Sequence, residues 1–118
     1  MRAHAWLNTQ LHCMALAAVC IRDDAAGKAR KQRASDAGAL EAVVVTMQAH
    51  PQAAGVQEHG CEALLSVCGG GASAAARARR QRAAQAGGRT VAASAMQAHP
   101  GNGDVQSQGQ MVLNALPA

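Results

Sequence analysis

Aromatic residues are almost missing from this chain: its 118 residues include no Phe, no Tyr and one Trp, Trp6. No aromatic residue interleaves with the chain's basic runs, so the base stacking that holds single-stranded nucleic acids is not available there. A core must then be filled by Leu, Val, Met and Cys with Ala between them, and it buries little area per residue. Stability is therefore expected to be marginal unless neighbouring structure helps. Strand-favouring residues are also scarce, with Ile21 the only isoleucine. No run approaches 18 uninterrupted apolar residues, so no membrane span is expected. The opening segment has a basic residue and an apolar stretch, but Asn8, Thr9, Gln10 and His12 interrupt it, which argues against a targeting peptide.

Alanine is what the chain has in quantity. It supplies most of the 49% hydrophobic content and is the strongest helix former. An all-α chain forming one domain follows from this composition and length. The formal charge of +4 is a mild bias that does not by itself imply nucleic acid.

The text repeats itself. MQAHP stands at Met47–Pro51 and again at Met96–Pro100, an offset of 49. The same offset carries KARKQRASDAG (Lys28–Gly38) onto RARRQRAAQAG (Arg77–Gly87), and VQEHG (Val56–Gly60) onto VQSQG (Val105–Gly109). CMALAAVC (Cys13–Cys20) matches CEALLSVC (Cys61–Cys68) at an offset of 48, and QMVLNALPA begins a third copy of that segment. A fixed period of this length is the mark of a repeat architecture.

One unit reads as three helices. Ala25–Ala37 is a short basic helix that Gly38 stops. Ala39–Ala49 carries Leu40, Val43, Val44 and Met47 on one stripe, and the His50–Pro51 step ends it. Ala53–Cys68 carries Val56, Gly60, Ala63, Leu64 and Val67 at helical spacing before Gly69–Gly71. MQAHP is thus the end of the unit's second helix and its turn. The copies are unequal, because Leu40, Val43 and Val44 become Arg89, Ala92 and Ala93. In a site packed like the first copy, that exchange costs several kcal/mol. The second unit is expected to be weak, or a terminal cap with a more polar face.

SDAGALEAVV, HPQAAG and GCEALLSVCGG together resemble the armadillo repeat family. There, a DAGAL-like phrase opens the second helix and an EAL-type third helix ends in small residues and glycine. The resemblance covers essentially the whole chain. It implies a right-handed helical solenoid of about two repeats with partial ends: residues 2–20 as the last helix of a first repeat, 25–69 as a full repeat, 73–108 as a weaker one and 109–118 as a partial helix. It also implies a non-catalytic scaffold that binds a partner protein or extended peptide along the groove of its third helices. The groove candidates are Gln10, Met14, Ala18, Glu62 and Ser66. Importin-type members clamp peptide backbone there with asparagine and tryptophan, and that clamp is missing here. HEAT-like arrays are the neighbouring reading.

Other residues invite other chemistry. Cys13/Cys20 and Cys61/Cys68 are spaced by seven residues, about 10 Å along a helix, which is too far for a disulfide or one tetrahedral metal within a pair. They read as small core residues in a reducing compartment, cytoplasm or nucleus. His50 and His99 recur with the turn and suit a structural role, whereas an active site is needed once. His59 and His12 have no copy, and no carboxylate or thiol is expected around them. The runs Arg30, Lys31, Arg33 and Arg79, Arg80, Arg82 could stack into a basic ridge for nucleic acid or an anionic surface. No enzyme, cofactor or metal is expected. Self-association, and a slice of a longer array without autonomous function, remain as further readings.

Overall fold

In the computed structural model, residues 5–20, 22, 24–69 and 71–118 are described, with side chains from Thr9 onward. They form seven helices and no strand: α1 (Ala5–Cys20), α2 (Ala25–Asp36), α3 (Ala39–Ala49), α4 (Ala54–Cys68), α5 (Ala74–Gln85), α6 (Gly88–Ala98) and α7 (Gly103–Ala115). Residues 2–4 of the first expected segment and the Trp6 side chain lie outside this description.

The boundaries recur because their causes recur. Asp24 and Ser73, at equivalent positions, cap α2 and α5 by accepting from the backbone N–H of Gly27 and Ala76. Gly38 and Gly87 join the first helix of each unit to the second with φ of 88° and 100°, left-handed values that a side chain would strain. His50 and His99 end α3 and α6 with nearly identical backbone angles, φ −129° and −128°. Just beyond each turn, Gln57 and Gln106 donate back to the last carbonyls of the preceding helix. Gln57 reaches Met47 and His50 O at 3.0 and 2.9 Å, and Gln106 reaches Met96 and His99 O at 2.7 and 3.1 Å.

α4 is the centre of the molecule. It packs against α1 on one side and α7 on the other, with α3 across its inner face. Leu40, Val43, Val44 and Met47 are all buried, as the stripe required, against Cys61, Leu64 and Val67. Gly60 lets α3 approach closely, since a Cβ there would overlap Met47 Cγ and Sδ, and Gly109 does the same for Met96. The radius of gyration is 13.2 Å, close to that of a compact globule of this length, about 13–14 Å.

Two expectations about the second unit change. α7 runs without a break from Gly103 to Ala115, so the boundary expected between 108 and 109 falls inside one helix. VQSQG and QMVLNA are consecutive parts of a complete third helix. The buried face of α6 is also rotated by one residue, to Gly88, Val91, Ala92 and Ala95, with Arg89, Ala93 and Met96 half-buried. Val91 and Ala95 turn toward Met47 and Gln48 of α3. Arg89 is used rather than merely tolerated. Its guanidinium donates to the carbonyls of Leu113 and Leu116 at the end of α7.

Candidate functional site

The third helices of the successive units, α1, α4 and α7, lie side by side, and a concave groove of about 590 Å³ opens over them. Met14 and Ala18 from α1 and Glu62 and Ser66 from α4 line it, so four of the five expected groove residues come together. Gln10 does not join them. Its amide lies over Gly55 at the start of α4, where a Cβ would collide with it, and so it serves helix packing. Gln108 and Met111 from α7 complete the far wall. They were missed because the notional break at 108/109 hid that they belong to a third helix. Met14 and Met111 are 41% and 50% exposed, which gives the groove an apolar contact on either rim.

His59 is the second correction. Its Nδ1 lies 3.2 Å from Glu62 Oε2 and its Nε2 3.7 Å from Glu58 Oε2. Helical geometry places i+3 on the same side, and the adjacent Glu58 side chain bends round to reach the ring. The HxxE spacing was therefore legible, and the sequence reading passed over it. Burial pushes the Glu58 carboxyl above its usual range, helped by the negative charges of Asp104 and Glu62 and opposed by His59. One ligand atom each from Glu58, His59 and Glu62 falls within a 4.8 Å cluster.

The expected basic ridge is largely not a free surface. Lys31 and Arg79 are buried, at 1% and 4% exposure. Arg30 Nε donates to Val19 O and Arg79 Nε to Val67 O, both at 2.8 Å. Lys31 donates to Cys20 O and to Ser66 O, and Arg80 to Cys68 O at 3.2 Å. Arg79 also reaches Gly69 O and the Gln32 side chain, both at 2.7 Å. The physical reason is that α1 and α4 end in carbonyls without helical partners, and cations at a helix C-terminus satisfy them and the dipole together. Arg82 instead pairs with Glu41 at 2.8 Å, linking α5 to α3 and holding the Glu41 carboxyl below its usual range. Arg33 alone of the six is exposed rather than buried or half-buried.

The four cysteines are free and buried. Burial drives Cys61 up to about 12, with Glu62 adding to it. Cys68 is driven up to about 11 by burial, with Arg79 and Arg80 opposing. These thiols carry almost no thiolate at neutral pH. No helix among the described residues is long and apolar enough to cross a membrane. Compared with protein-family models, curated proteins and solved structures, the chain matches none.

Proposed function

We propose that this chain is a protein–protein interaction module of the armadillo-like solenoid type. It seats an extended segment of a partner in the groove over α1, α4 and α7. The observation that carries this reading is the convergence of Met14, Ala18, Glu62 and Ser66 on one concave face, joined by Met111 from the next unit. Two methionine rims around a largely apolar floor with Glu62 and Ser66 set in it suit an extended peptide, because the flexible thioethers adapt to its side chains and Glu62 and Ser66 offer acceptors. The module is non-catalytic and works in a reducing compartment, cytoplasm or nucleus, consistent with four unpaired thiols. Self-association, or placement in a longer array, would extend the same groove.

Nucleic-acid or anionic-surface binding is the less favoured alternative, since most of the basic run is spent on helix ends. The test is a peptide-array screen, followed by titration of the best sequence between low and moderate salt. Groove binding changes little with salt and is lost in Met14→Glu and Ser66→Arg. Binding that collapses with salt and survives both substitutions favours the phosphate-type reading.

A further inference from the structure

The repeat provides an internal control. Residues that the architecture needs are restated: Val56, Gln57 and Gly60 of α4 become Val105, Gln106 and Gly109 of α7. Glu58, His59 and Glu62 share the same stretch of helix, yet their counterparts in α7 are Ser107, Gln108 and Met111. All three change together while Val56, Gln57 and Gly60 are kept. The fold therefore builds this kind of helix without them, and their convergence on the central helix calls for a different explanation.

We propose that Glu58, His59 and Glu62 form a binding site for one first-row divalent transition-metal ion, zinc or a cation of similar size. An imidazole with two carboxylates is a nitrogen–oxygen donor set suited to such ions. The 3.2 Å between His59 Nδ1 and Glu62 Oε2 is close to the separation of two ligands that each sit about 2.0–2.2 Å from a shared ion. Glu58, whose carboxylate is within the same 4.8 Å cluster but faces Nε2 at 3.7 Å, supplies the third donor by swinging from that edge of the ring to the Nδ1 edge. The side chains are 23%, 16% and 33% exposed for Glu58, His59 and Glu62, sheltered enough to favour a cation but reachable from solvent. The negative charges of Asp104 and Glu62 both act unfavourably on the Glu58 carboxylate, and a divalent ion relieves that repulsion. His59 and Glu62 both line the groove, so the remaining coordination positions face its interior. A water or a carboxylate from a bound segment can occupy them. Metal binding does not require a peptide in the groove, so the two readings stand or fall separately.

The experiment is titration of the full chain with Zn²⁺ by calorimetry and with Co²⁺ by absorption, after chelator treatment. The expected result is one ion per chain, a Co²⁺ spectrum without thiolate charge-transfer bands, and a loss of affinity of roughly tenfold or more in His59→Gln and in Glu62→Gln. His99→Gln leaves binding unchanged. Thermal melts of the metal-free variants control for folding. Glu62→Gln, at the most exposed of the three positions, reads the same loss if His59→Gln melts early. No saturable binding, one-to-one binding retained in both variants, or thiolate bands would each overturn the proposal.

Discussion

Arg79 shows how one side chain can be misread from sequence. In the text RARRQR it is one of several cations on an exposed-looking helix. In the structure its guanidinium is buried and satisfies Val67 O, Gly69 O and Gln32. Truncation to Ala strands those acceptors and should cost about 2–3 kcal/mol, whereas Arg33→Ala, at an exposed position, should fall within about 0.5 kcal/mol. Paired urea melts of the two variants check this. Glu58 makes a second prediction, for the metal-free protein. Its folded-state pKa is raised, so its ionisation opposes folding above its unfolded value, and the penalty is relieved as pH falls through the folded value. Glu58→Gln should therefore raise the thermal midpoint at pH 7. The gain should fade toward pH 4, and a gain that grew with acidity would refute the assignment. Glu41 works in the opposite direction, because Arg82 lowers its folded pKa. Its contribution is present above the unfolded value and is lost as pH falls through the folded one.

Between elements, the repeat is held together by a small kit used twice. A left-handed glycine joins the first two helices, a glutamine ties off the second, and a glycine on the third helix admits a methionine. Gly60 is the tightest part of this kit. An added Cβ would overlap Met47 Cγ and Sδ, and Met47 is itself buried among Leu40, Val43 and Leu64. Gly60→Ala should thus cost about 1–3 kcal/mol by overpacking, even though alanine favours a helix over glycine. Gly101→Ala, in a turn with open space around it, provides the matched comparison. If Gly60→Ala stabilises the chain in a denaturant melt, helix propensity outweighs packing, and the close approach of α3 to α4 is looser than described.

For the whole molecule, α4 lies between α1 and α7 and touches every other helix, so the packed layer is built around it. Thiol reactivity follows from that arrangement. Cys61 and Cys68, with pKa values near 12 and 11, are fully inside the packed layer. Alkylation at pH 8 should be slow in the native state and proceed only through opening of the α1–α4 layer. The labelling rate of Cys61 should then track the unfolding rate or opening free energy as denaturant is added. Rapid labelling without denaturant would place α1 away from α4.

Much of this protein could be read from its letters. The limits of α2, α3 and α4 came within a residue of the structure, because glycine, the His–Pro step and apolar spacing act locally on the chain. The stripe Leu40, Val43, Val44 and Met47 was also legible, since helical periodicity selects which side chains share a face. Met14, Ala18, Glu62 and Ser66 were singled out by the family resemblance, and the structure places them along one cavity. Tertiary structure alone decided the fate of the charges. Whether Lys31 or Arg79 meets water depends on where the preceding helix ends in space, and that position is set by the packing of separate helices. The same holds for the rotated face of α6, which has α3 on one flank. Local rules shape a helix and its ends, but burial belongs to a surface that exists only once helices distant in sequence have met.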